Sequence, residues 1–455
     1  MAPLFPLGQL CDGKTTQPRH LHYPQGCYAA RAGNSILQKA LSMFKTDRDY
    51  RTFLTILLTY TLDLVGFSIV FPVLAPLLLN PELHFFSAGT AEIVKTSMLG
   101  FIFAAFGITQ FFGAPVAGAL ADHYGRYRVF LATIALSFFG YLLMALGVYS
   151  QSLAWLIIGR MVTGFCSGNF ALAQSATADL TDAKHRSKAF GILLGTGGLG
   201  FVAGPWIGGK LANPAWLFGS GAFLFAAIAA FLNFFMVSFF FVDTWKRKEK
   251  HVNLLSTFKD IGIVFHRKTL RNILITYLLF SIGWGFFLIF SPTYLVQKFS
   301  IGSSQIGDIY AYMALVWFFA SMYLNKELTA KFSLRALINT SAFIAAIGVA
   351  LYVCPNTLWP YWYIIPIALL GGALCWVNLG TLLSIESPEA MQGRALGVSG
   401  SMWSLGQVIA PLVAGPLAGW NIQSPLLAGA LFILLSLVYF LFCYHKSRKS
   451  PSPRS

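Results

Sequence analysis

Two charged side chains stand inside long apolar stretches of this chain. Asp63 lies in Leu62-Asp63-Leu64-Val65-Gly66-Phe67, and Arg160 lies in Gly159-Arg160-Met161-Val162-Thr163-Gly164. An ionised side chain in hydrocarbon costs about 3 kcal/mol on insertion scales. Asp63 therefore either holds a proton or pairs with a cation, and the chemistry open to it is the uptake and release of a proton. Arg160 is the one cation at comparable depth. Either it modulates that proton or meets a substrate, or the two side chains form a static ion pair that locks helix packing. Residues of hydrolytic or metal chemistry lack the spacing they would need. There is no Gly-x-Ser-x-Gly, no His-Glu-x-x-His and no phosphate-binding loop, and all eight histidines fall in loops or tails. Neither an enzyme, a cofactor nor a metal is expected, and without a nucleotide site the energy source is an ion gradient.

The elements that must position these residues are membrane helices. Of 455 residues, 56% are hydrophobic and 11% charged, with a mean hydropathy of +0.66, outside the soluble range. A block of about 20 apolar residues crosses a bilayer as helix. The sequence holds twelve such blocks, near 52–79, 94–120, 128–148, 153–178, 187–211, 215–241, 270–296, 305–325, 335–354, 359–384, 393–418 and 424–444. They lack the alternation of barrel strands, so their backbone must be satisfied within helices, and the fold class is an all-α membrane protein. Asp63 then lies about eleven residues, or roughly 16 Å, into the first span, near the midplane.

A net charge of +16 invites a nucleic-acid partner, but its distribution argues for topology instead. With both termini in the cytoplasm, nearly all of the 32 Lys and Arg fall on that side. Lys95, Lys210 and Lys298 lie outside, and Arg160 lies within a span. The expected organisation is a polar, disordered tail over 1–50, a six-helix half over 51–242, a cytoplasmic connector over 243–269, a second half over 270–444 and a tail over 445–455. The tail's Met43 precedes Phe44-Lys45-Thr46-Asp47-Arg48, a plausible start for the cytoplasmic lead-in. The connector carries Lys246-Arg247-Lys248-Glu249-Lys250 and then apolar residues at helical spacing, which predicts an amphipathic helix on the membrane surface. The six cysteines show no metal spacing, and Cys166 and Cys375 read as packing residues within spans.

The halves are tandem copies. A shift of 206 residues superposes Ala189, Gly191, Gly200, Pro205 and Gly209 on Ala395, Gly397, Gly406, Pro411 and Gly415. Parallel repeats of this kind imply a central site between halves, exposed to alternate sides as one rocks against the other. Amides and tryptophans within the spans are candidate contacts for a small molecule there: Gln110, Asn169, Gln174, Trp284, Trp376, Asn378, Trp403 and Gln407. For each, helix packing or interfacial anchoring is an equally good account.

Three motifs carry a resemblance. After the second span comes Gly118-Ala119-Leu120-Ala121-Asp122-His123-Tyr124-Gly125-Arg126-Tyr127-Arg128. Gly118 would permit close helix approach, Asp122 can accept hydrogen bonds from a helix N-terminus, and Arg126 and Arg128 would anchor the basic face. The fifth span carries Gly191, Gly200, Gly204, Pro205, Gly208 and Gly209, and the first carries Leu62-Asp63 with Gly66 and then Phe71-Pro72-Val73-Leu74. These resemble the loop, antiporter and first-helix signatures of the major facilitator superfamily's drug:proton exporters. Arg160 matches that family's span-four arginine. The segment Ala178-Asp179-Leu180-Thr181-Asp182 through Gly191 is most similar to tetracycline:proton antiporters.

The resemblance implies the major facilitator fold of twelve helices in two pseudo-symmetric halves. It also implies a monomer in the cell inner membrane that exchanges protons for a small amphipathic compound or drug. A proton-coupled importer of a nutrient or siderophore would use the same fold. Two departures put a metal-chelated tetracycline in doubt: Gly140 stands before Tyr141-Leu142-Leu143 where those antiporters carry Asp, and the ninth span has no carboxylate.

Overall fold

The structure is a computed structural model that describes residues 46–213, 217–243 and 256–444. The tail over 1–45 with Met43, the basic run Lys246 to Lys250 and the tail 445–455 lie outside the described residues. Twelve helices are long and apolar enough to cross a membrane. They are α1 (Arg48–Leu79), α2 (Glu92–Tyr124), α3 (Arg126–Tyr149), α4 (Leu153–Leu180), α5 (Lys188–Leu211), α6 (Gly221–Phe240), α7 (Lys268–Phe299), α8 (Ser303–Lys331), α9 (Leu334–Leu351), α10 (Tyr361–Glu386), α11 (Gln392–Trp420) and α12 (Ser424–Tyr444). The protein is an all-helical, multi-pass membrane protein.

Two spans are interrupted where they matter. α1 breaks at Ile69-Val70, just ahead of Pro72, whose ring cannot continue the preceding hydrogen-bond ladder. α4 breaks at Ser167-Gly168, so Asn169 opens its second segment. Periodicity does not register such breaks, because the apolar pattern runs on through them. In α8 a π-turn over Ala320–Leu324 re-aims the side chains that follow.

The tandem repeat has a direct structural counterpart in the two seams that join the halves. On α5, a methyl group at Gly209 would fall 2.5 Å from the Ser303 carbonyl oxygen of α8. One at Gly307 would fall 2.6 Å from the Pro205 carbonyl oxygen. On α11, the equivalent Pro411 carbonyl lies against Gly100 of α2, and a methyl at Gly415 would fall 2.7 Å from Ser97 Cα. Glycine is required at these positions because backbone meets backbone. The other glycines of the α5 signature look the opposite way: Gly200, Gly204 and Gly208 bear on Thr61, Val65 with Ser68, and Ile69 of α1. One face of α5 thus knits its own half, and the other meets the partner half.

The seams close only on the face away from the chain's described ends. On the basic face, Gly118, Gly191, Gly393, Gly397 and Gly400 have no described neighbour within 4 Å of where a side chain would begin. The close approach expected at Gly118 is absent from this arrangement, because α2 and α11 part before reaching it. The connector helix Ser256–His266 packs on α7 and α11 through buried Val264 with Ile261 and Phe265, rather than standing apart from the bundle.

Candidate functional site

Where the halves part, they enclose an apolar cavity of about 290 Å³. Its second-half wall is aromatic: Trp284 on α7, Trp317 on α8, Trp376 on α10 and Trp403 on α11. Leu64, Phe67 and Phe201 face it from the first half. The indoles hold one another: Trp284 and Trp317 are 5.2 Å apart and Trp376 and Trp403 4.5 Å apart, centroid to centroid. Trp284 lies in place because Gly372 of α10 leaves its ring room that any side chain would fill. Such flat, desolvated walls favour a planar apolar guest.

The cavity floor is a layer of rings. Phe71 stacks on Tyr310 across the halves at 5.9 Å and on Phe103 at 6.0 Å, and Phe67 lies 6.1 Å from Phe201. Tyr310 is fixed by hydrogen bonds to Ser291 Oγ, at 2.9 Å, and to the Leu288 carbonyl. Beyond this layer come the closed seams, with Lys210 Nζ on α5 bound to Asp308 Oδ2 on α8 at 2.8 Å.

Asp63 sits one residue before cavity-lining Leu64 but turns into its own half. The Asn169 side chain hydrogen-bonds its carboxyl. Thr133 Oγ1 donates to Asn169 Oδ1 at 2.6 Å, which leaves the amide NH₂ as the group presented to Asp63. The second carboxyl oxygen, Oδ2, is buried and has no hydrogen-bond partner. One turn on, the Tyr141 hydroxyl rests against Gly66, within electrostatic reach of both Asp63 and Arg160. Neither Tyr141 nor Thr133 stands out in the sequence, since a lone Tyr or Thr in a span is ordinary composition.

Arg160 is 4% exposed and lies over Phe106 at 4.4 Å and Phe103 at 5.7 Å. Among the described residues no ion pair joins it to Asp63, so the static lock weighed from sequence is absent.

The remaining candidates divide. Trp284, Trp376 and Trp403 line the aromatic cavity, while Gln110 and Gln407 line a smaller one beside Arg160. Gln174 hydrogen-bonds Tyr60. Asn378 does not reach the cavity: it is fully buried, with its Nδ2 donating to Asn325 Oδ1 on α8 and to the Leu374 carbonyl, both at 2.8 Å. It is a tie between α8 and α10, and the expectation of a cavity contact is corrected. Trp317 was missed because its stretch Leu315-Val316-Trp317-Phe318-Phe319 is uniformly apolar and nothing in it marks an inward face. On the basic face, Gly125 makes the α2–α3 turn with φ 90°, a conformation natural to glycine. Arg126 pairs with Asp179 Oδ2 at 2.8 Å and lies near Asp122 and Asp243, and Arg128 is exposed.

Twelve spans, repeated seams and a blind cavity between the halves define a transporter of small molecules. The chain belongs to the Major Facilitator Superfamily, whose family model matches residues 56–411 and 327–455. It is 27% identical over 411 residues to the class H tetracycline resistance protein of Pasteurella multocida, covering 88% of this chain and 98% of that protein. It is 28% identical over 375 residues to multidrug resistance protein 1 of Bacillus subtilis (strain 168), covering 82% of this chain and 91% of that one. The fold is also that of a solved bacterial homolog of the human lysosomal transporter Spinster in an inward-facing, unoccupied conformation. There the TM-score is 0.67 at 16% identity, over 90% of this chain and 100% of that one. The protein is a transporter and not an enzyme.

Proposed function

We propose that the protein is a proton-coupled exporter of a small amphipathic organic compound, with Asp63 as the proton-binding group. The observation that carries this reading is the Asp63 carboxyl one residue from the cavity wall, hydrogen-bonded by Asn169 and with its Oδ2 buried and unpartnered. A carboxyl so placed changes protonation state as its access to water changes, and the rocking of the halves supplies that change. The basic face, where the halves part, is assigned to the cytoplasm of a cell inner membrane by the positive-inside rule. In this assignment the cavity is loaded from the cytoplasm, and proton binding at Asp63 accompanies return from the outward-open state. The likeness to tetracycline and multidrug resistance proteins supports drug-like cargo.

The test is proton release from purified protein on addition of candidate dyes and drugs, compared with Asp63→Asn. Release by the native protein and none by the variant supports the assignment. Equal release from both removes Asp63 from the coupling. Uptake of the same compounds into everted vesicles under an imposed proton gradient reads direction, and accumulation in right-side-out vesicles instead would make the protein an importer.

A further inference from the structure

Beside the aromatic floor, Arg160 on α4 and Gln407 on α11 line one small cavity from opposite halves, with Gln110, Phe67 and Phe106 among its other wall residues. Both side chains are more than nine-tenths buried, at 4% and 8% exposure. Each presents a hydrogen-bond donor with no partner, Nε of Arg160 and Nε2 of Gln407.

The energetics of these two groups are incomplete. Among the described residues no carboxylate forms an ion pair with Arg160, whose neighbours are the faces of Phe106 and Phe103 and, within electrostatic reach, the Tyr141 hydroxyl. Ring faces stabilise a desolvated cation only in part. An unpaired buried ion is destabilising, and an unpaired buried amide donor adds to that cost. Two residues with unsatisfied donors, one of them cationic, line a space of about 10 Å³, the size of one oxygen atom's place. What is missing is an acceptor that carries negative charge. Phe67 lines both this space and the tryptophan-walled cavity, so the two lie side by side.

We propose that Arg160 and Gln407 together bind the anionic oxygen of an aromatic organic acid, a carboxylate or phenolate, whose ring body occupies the tryptophan-lined cavity. This rests on the transport reading above and deepens it by naming the charge class of the cargo. Because one donor comes from each half, the head group bridges them, and its binding favours the arrangement in which both reach it.

The experiment uses full-length protein in lipid nanodiscs and three probes with one ring body: 2-naphthoate, 2-naphthylmethanol and 2-naphthylmethylamine. Equilibrium binding should favour naphthoate over the alcohol and the amine by at least about tenfold, as a charge-assisted contact to a buried arginine requires. Gln407→Leu should weaken naphthoate about fivefold and the uncharged alcohol by less. Arg160→Met should abolish the preference, and alcohol binding reports whether each variant's cavity is intact. Equal binding of all three probes, preference for the amine, absence of saturable naphthoate binding, or naphthoate affinity indifferent to both substitutions overturns the proposal. Proton release driven by the amine and lost in Asp63→Asn would overturn the anion site while leaving proton-coupled transport standing. Naphthoate binding that depends on Arg160, without any Asp63-dependent proton movement, would keep the site and remove the coupling.

Discussion

Lys210 of α5 and Asp308 of α8 meet at 2.8 Å across the closed seam, and Ser304 accepts a second bond from the same ammonium at 2.9 Å. The pair lies immediately beside the Gly209–Gly307 backbone contact, so charge and close packing hold the halves together at one place. Both partners are about two-fifths exposed, which limits what the charges contribute.

An exposed pair of this kind is worth about 0.2–1 kcal/mol. Asp308→Asn is therefore expected to shift the balance toward the state open on this face by a factor of about five or less. Spin-label distances between α5 and α8 measure the shift. A complete switch would mean the ion pair, and not the glycine contact, holds the seam.

Asp63→Asn should abolish transport driven by a proton gradient while leaving counterflow of pre-loaded substrate, since the amide keeps the shape but cannot exchange a proton. Gradient-driven uptake at native rates in everted vesicles would show that another group carries the proton.

Within the α5 signature the glycines should not behave alike. A side chain at Gly204 meets Ser68 and, at 2.6 Å, the Val65 carbonyl, whereas one at Gly191 meets nothing described within 4 Å. Gly204→Leu should cut turnover at least about tenfold through overpacking worth 1–3 kcal/mol, with the protein still folded. Gly191→Leu should be close to neutral unless the seam closes there during turnover. Side-by-side transport assays with circular dichroism decide it, and equal sensitivity would show that the basic ends of α5 and α8 do come together in the cycle.

Asn378→Leu is expected to lower thermal stability, since it breaks two bonds and strands Asn325 at a cost of about 1–3 kcal/mol, while substrate affinity holds. Trp317→Ala should do the reverse. Melting curves and binding isotherms on both variants separate the roles, and a binding defect in Asn378→Leu with unchanged melting would restore it to the cavity.

The span count, the tandem halves and the central place of Asp63 were legible in the residues themselves. A bilayer demands that apolar blocks fold as helices, and a charge inside such a block is conspicuous whatever surrounds it. The Gly/Pro register at Pro205 and Pro411 marked the tandem copies, while the seams these residues form between the halves came from the packing. Which face each residue presents was decided by the tertiary structure alone. Asn169 and Asn378 are the same residue type at similar depth, yet the break in α4 delivers one to Asp63 and the approach of α8 binds the other to Asn325. Trp317 joins the cavity wall because its helix turns it inward, a matter of rotation that a uniformly apolar stretch cannot encode locally. Arg160 is set over phenylalanine rings and not against Asp63 because α2 supplies those rings there. Depth along a helix follows from chain position, but azimuth and partners follow from how the helices pack.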